Sequence, residues 1–167
     1  MNINNTSRET LAKSFKGVGA ELGVSRGRFS EVILKNSTCE LLYSIDMWSG
    51  DRGHGQQQFL GACSLLSTYG KRSKIIKSTF ENTVNQFNNE YFDFVYIDGY
   101  AHTGQENGKT LTDWWPKVKN GGLFAGHDYD NDRWPLTVTA VNQFTHSVNK
   151  DVKLTNEKRD RSWYIIK

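Results

Sequence analysis

Ala20-Glu21-Leu22-Gly23-Val24-Ser25-Arg26-Gly27-Arg28-Phe29-Ser30 runs from a short apolar segment through two glycines into a candidate helix. A second apolar segment, Leu41-Leu42-Tyr43-Ser44-Ile45-Asp46, ends in an acid 25 residues after Glu21. Strand, glycine turn, helix, strand and acid is the order in which an α/β protein holds a nucleoside. The glycines let backbone come close to the ligand, and the carboxylate accepts hydrogen bonds from ribose hydroxyls. The spacing Glu-x-Gly-x-x-x-Gly is not the Gly-x-Gly-x-x-Gly of dinucleotide folds.

Outward from this stretch, strand-like and helix-like segments alternate, which predicts a parallel sheet covered on both faces. Thr6–Phe15 is expected to be a leading helix, Gly17–Leu22 the first strand and Gly27–Leu34 the next helix. Leu41–Ile45, Lys74–Lys77, Phe92–Ile97 and Leu123–Ala125 follow as strands two to five. The intervening helices are expected at Gln56–Tyr69, Phe80–Phe87 and Thr110–Val118, the last interrupted by Pro116. Pro135 suits the first turn of a helix ending at Val148. Asp151–Leu154 and Ser162–Ile166 then read as a hairpin joined by a solvated polar turn. The predicted fold is a single Rossmann-like α/β domain spanning residues 1–167. Its doubly wound, mostly parallel seven-stranded sheet closes with a C-terminal antiparallel hairpin.

The 167 residues suit one core, and 37% hydrophobic with 23% charged content predicts a globular chain. Twenty-one basic against 18 acidic residues leave a net charge of +3, too mild to point to nucleic acid or a membrane surface. Cys39 and Cys63 form no metal-ligand spacing and read as two reduced thiols. No apolar run approaches a membrane span, and the first residues show no secretory pattern, so a cytoplasmic protein is expected.

In open α/β sheets ligands bind beyond the carboxyl ends of the strands. Those ends carry Glu21, Gly23, Ser25 and Gly27, then Asp46, Met47 and Trp48, then Ser78 and Thr79. Asp98 follows the fourth strand, and His127 and Asp128 follow the fifth. One strand-end acid is ordinary; several along one edge point to a site.

The glycine loop resembles the cofactor loop of class I S-adenosylmethionine (SAM) dependent methyltransferases. Two further stretches narrow the resemblance: Ile97-Asp98-Gly99-Tyr100-Ala101-His102, and Trp114-Trp115-Pro116 leading to Gly121-Gly122 and Gly126-His127-Asp128-Tyr129. Together they look like the methyltransferase type 24 small-molecule family, over roughly Glu21 to Phe144. One extra residue separates Gly99 from His102 relative to the family's Ile-Asp-Gly-x-His.

The resemblance implies methyl transfer to a small acceptor, often a hydroxyl; no nucleic-acid partner is expected, because Asp98-Gly99-Tyr100-Ala101 stands where amino-directed nucleic-acid methyltransferases carry Asn/Asp-Pro-Pro-aromatic, and no membrane partner is expected. On SAM, Asp46 is placed for the ribose diol, and Met47 and Trp48 for the adenine. Backbone N–H groups near Gly23–Gly27 face the carboxylate, and Glu21 orients the loop or reaches the ammonium through water. Ser78, Thr79 and Asp98 complete the cofactor set, whereas Phe29 reads as core. His102 or His127 is the candidate general base, with Asp98 beside them. Related O-methyltransferases hold a divalent metal with acids after the fourth and fifth strands, which here are Asp98, His127 and Asp128. Asp51, Arg52, His54, Tyr129, Asp130, Asp132, Arg133 and Trp134 are candidates for the acceptor pocket. The non-enzymatic alternative is a SAM-binding subunit without turnover.

Overall fold

The computed structural model describes residues 6–167. Its strands are β1 (Lys16–Leu22), β2 (Thr38–Asp46), β3 (Ser73–Lys77), β4 (Phe92–Ile97), β5 (Val118–Tyr129), β6 (Lys153–Leu154) and β7 (Arg161–Ile166). They form one sheet in the order β3-β2-β1-β4-β5-β7-β6. β1 to β5 pair in parallel, and β7 joins β5 and β6 antiparallel. The expected doubly wound sheet and closing hairpin are both present. β1 lies between β2 and β4, so the winding reverses there and leaves a crevice at the strand mouths.

The alternation of side chains sorts the core into two layers. Ala20, Leu22, Tyr43, Ile45, Val95 and Ile97 face one side. There they meet α4 (Phe80–Val84), α6 (Lys109–Trp114) and α7 (Pro135–Ser147) through Phe80, Leu111, Trp114, Val141 and Phe144. Leu42, Phe94 and Tyr96 face the other side. Their partners are Leu11 and Ala12 of α1 (Arg8–Ala12), Ile33 and Leu34 of α2 (Arg28–Asn36), and Leu66 of α3 (Gln56–Leu66).

Three expectations change. The fifth strand is 12 residues long, not three, because Asn120-Gly121-Gly122 forms an irregularity inside the strand. Gly121 takes φ +77 and the register shifts beside Phe92, as in a bulge. The helix after β4 breaks up into three parts. A left-handed turn, α5 (Gly104–Asn107), precedes α6, and a 3-10 turn over Trp115–Lys117 follows. The turn before β7 is not merely solvated: the Arg8 N–H donates to Glu157 Oε1 at 2.5 Å, and the Trp134 indole donates to Asp160 at 3.1 Å. No helix among the described residues is long and apolar enough to cross a membrane.

Candidate active site

Three strands leave this edge through turns that hold a left-handed residue, and the end of β5 holds a fourth inside the strand, where its register shifts. Ser25, Trp48, Tyr100 and Asp128 have φ of 51, 40, 56 and 62°. Such conformations cost energy and gather at functional sites. Gly23 is obligatory: φ is +94, and a Cβ there would stand 2.2 Å from the Asp98 carbonyl oxygen. Only glycine lets the mouths of β1 and β4 close to this distance.

Asp46 is only 5% exposed. Its Oδ2 accepts the Val24 and Ser25 N–H groups, both at 2.9 Å, and Oδ1 accepts the Trp48 N–H at 3.1 Å. His54 Nδ1 lies 3.5 Å from Oδ2. The carboxylate therefore ties the mouths of β1 and β2 together and is no solvated hook. The Gly23 and Gly27 N–H groups bond to Ile45 and Val24 carbonyls, each at 2.9 Å. With Val24 and Ser25 also engaged, these four loop donors are used inside the protein, contrary to their expected role as a carboxylate receptor.

Trp48 is also corrected. It is 2% exposed, its indole donates to the Ser25 carbonyl at 2.7 Å, and it packs on Val24, Ala62 and Phe59 behind the loop. Sequence places it one residue after Met47, but the left-handed turn swings it away from the cleft. Ser78 and Thr79 are absent from the cleft lining as well. The Ser78 N–H donates to the Asp46 carbonyl at 3.0 Å, and Thr79 Oγ1 caps α4 by accepting the Asn82 N–H at 3.2 Å.

The cleft has two chambers that share Gly23, His54 and Asp98. One, of about 310 Å³, is lined by Asp46, Met47, Arg52, Phe80, Tyr100, His102, Asp128 and Trp134. The other, of about 470 Å³, is lined by Arg8, Glu21, Ser25, Arg26, Arg28 and Phe29. Phe29 thus borders the cleft while also packing on Tyr96. Of the predicted acceptor residues, Arg52, His54 and Trp134 line the first chamber, with the Arg52 guanidinium 5.1 Å from the Trp134 ring centre. Tyr129, Asp130, Asp132 and Arg133 do not. The Asp51 side chain lies outside the described residues.

Glu21 is 1% exposed and accepts the Ser30 hydroxyl. Burial pushes its pKa up to about 8, against the opposing pull of Ser30. Its carboxyl therefore stays neutral near pH 7.

Asp98, His127 and Asp128 do come together: one ligand atom from each lies within 4.8 Å of the others. His127 Nδ1 is 3.1 Å from Asp128 Oδ1 and 3.5 Å from Asp98 Oδ1. Burial opposes the imidazolium, but the two carboxylates outweigh it and raise the His127 pKa to about 9. His127 lines neither chamber, so the structure does not bring it to the cleft where an acceptor would lie. His102, exposed on the first chamber, stays a candidate general base.

Sequence reasoning missed Arg8. Its Nη2 lies 2.5 Å from Asp98 Oδ2, and its Nη1 is 3.4 Å from His127 Nε2. Burial pushes the Asp98 pKa up, yet Arg8 and His127 hold it at about 2. The implied metal fits this arrangement poorly, since one of its three ligands already carries a guanidinium.

A family model described as a methyltransferase domain matches residues 18–129. The chain belongs to this family. In fold this methyltransferase is of the class I, SAM-dependent type. An rRNA methylase from Streptococcus thermophilus superposes with a TM-score of 0.67 at 16% identity, over 94% of this chain and 91% of that one. An O-methyltransferase from Bacillus cereus, in complex with S-adenosylhomocysteine (SAH), gives 0.69 at 14% identity over 95% and 78%. A Podospora anserina methyltransferase bound to SAH gives 0.64 at 15% identity over 89% and 70%. No curated protein matches the chain.

Proposed function

We propose that the first chamber transfers a methyl group from SAM to a hydroxyl of a small acceptor. The observation that carries this reading is the lining of that chamber. Asp46 and Met47, the candidate nucleoside residues, share that lining with His102, a candidate base, and with Tyr100 and Trp134. The SAH bound to the two structural neighbours supports the cofactor.

When bound, SAM supplies an electrophilic methyl on its sulfonium. Asp46 Oδ1 has one donor in the protein, the Trp48 N–H, and keeps acceptor capacity for a ribose hydroxyl. Met47 and Phe80 offer the apolar contact for the purine that Trp48 does not. Arg26 and Arg28 in the second chamber, and not the loop amides, take the carboxylate. His102 would accept the proton of the acceptor hydroxyl, whose oxygen takes the methyl group as the methyl–sulfur bond breaks and SAH leaves. Holding that oxygen in line supplies much of the acceleration, up to about 7–11 kcal/mol in favourable intramolecular cases.

Incubating the protein with SAM and panels of hydroxylated small molecules, with SAH release as readout, tests the reading. Release that depends on a hydroxyl acceptor and is lost in His102→Gln is the expected result. SAH binding without turnover on any panel favours the non-catalytic subunit instead.

A further inference from the structure

The three-ligand cluster of Asp98, His127 and Asp128 has a fourth member that changes its chemistry. Arg8 arrives from α1, about 90 residues away in sequence from Asp98. Its guanidinium is no loose surface group. The guanidinium carbon sits 3.8 Å from the centre of the Phe29 ring and 5.3 Å from that of Tyr96. Its backbone N–H is tied to Glu157 at 2.5 Å, and Ser7 caps the same helix by accepting the Thr10 N–H at 3.2 Å. The side chain is thus fixed at both ends, with Nη2 on Asp98 Oδ2 and Nη1 3.4 Å from His127 Nε2, so the guanidinium spans two of the three candidate ligands.

We propose that Arg8 is the resident cation of this strand edge, a stacked guanidinium that occupies the place of a divalent ion and makes the site metal-free. A divalent ion held by Asp98 Oδ1, His127 and Asp128 would share its carboxylate with Arg8 and meet that positive charge at close range. Guanidinium also suits a carboxylate better than a hydrated ammonium does, because its planar donors match the carboxylate and its face stacks on aromatic rings. Arg8 is then a positioning residue. It fixes the Asp98 carboxylate, which in turn faces the His127 ring across 3.5 Å.

The experiment uses Mn²⁺ alone as probe, with neither cofactor nor acceptor present, so failure of the methyl-transfer reading leaves its result untouched. Free Mn²⁺ is followed by electron paramagnetic resonance during titration of the full chain. Wild type is expected to bind no Mn²⁺ through Asp98. Arg8→Gln is expected to bind one ion at least tenfold more tightly, and adding Asp98→Asn to that variant should abolish the gain. Wild-type binding that Asp98→Asn removes would overturn the proposal, as would a folded Arg8→Gln protein that binds no better than wild type. Should Arg8→Gln fail to fold, the wild-type His127 ring resonance decides. Broadening by Mn²⁺ overturns the proposal, and a sharp resonance agrees with it.

Discussion

Replacing Asp46 by alanine removes the acceptor for three backbone donors at once. The Val24 and Trp48 N–H groups belong to residues only 5% and 2% exposed, and Ser25 is partly buried. A buried donor left without a partner costs about 1–3 kcal/mol, so the two buried ones alone predict roughly 2–6 kcal/mol. The loop also carries Trp48 and Val24 into a small cluster with Ala62, which loosens with it. A chain of this size loses roughly 2–4 °C of melting temperature per kcal/mol, hence a drop of order 10 °C. Asp46→Asn separates the two effects. Its amide oxygen can still accept Val24 and Ser25, whereas its NH₂ would oppose the Trp48 N–H, so the stability loss should be smaller. Urea unfolding measures stability, and calorimetric titration with SAH measures affinity. An Asp46→Ala midpoint equal to wild type at unchanged m would refute the claim that this carboxylate holds the loop. SAH affinity unchanged in a stable Asp46→Asn would refute the ribose assignment.

Stability should fall as pH rises from 6.5 towards 9. His127 has a folded pKa raised from 6.5 to about 9, so its contribution is complete below 6.5 and lost through 9. Glu21, raised from 4.5 to about 8, is more protonated when folded, so on its account stability already falls from pH 4.5 and the loss is complete above 8. Glu21→Gln should flatten the urea midpoint between pH 4.5 and 8, and a slope equal to wild type would count against a neutral buried carboxyl. His102→Gln should lower kcat by about 10²–10⁴-fold with SAH affinity intact, and a kcat within about threefold of wild type removes His102 as the base. Gly23→Ala and Gly50→Ala share a φ of about +94 and +93, but only the first meets another atom, at 2.2 Å, while the second opens on space. Gly50→Ala should cost on the order of 1–3 kcal/mol and Gly23→Ala clearly more; equal melting temperatures would sink the crowding argument.

The alternation of apolar segments made the sheet legible, and the residues closing each segment made its functional edge legible. What stayed hidden depends on direction or distance. Trp48 belongs to the right strand end, but a single left-handed residue sends its ring into the core. Thr79 reads as a strand-end polar group and is in fact the cap of the next helix. Asp98 and His127 were found as candidates, but not the charge that governs them. Arg8 lies in an unremarkable leading helix, and only docking of α1 against the sheet brings it to Asp98. Asn120-Gly121-Gly122 reads as the turn into the fifth strand, yet that strand already begins at Val118 and absorbs the glycines.

The screw sense of Gly104–Asn107 inverts a familiar rule. Gln105, Glu106 and Asn107 hold φ of 51, 58 and 55°, where an L-residue forfeits roughly 1–2 kcal/mol relative to the right-handed coil. Bonds from Gln105 to Thr137, from the Gln105 N–H to the Tyr100 carbonyl and from Thr110 to Glu106 offset that loss. In an ordinary helix the achiral residue weakens the coil. At exposed Asn107 it should strengthen it, so the loop behind His102 is a place where removing a side chain makes the protein harder to unfold.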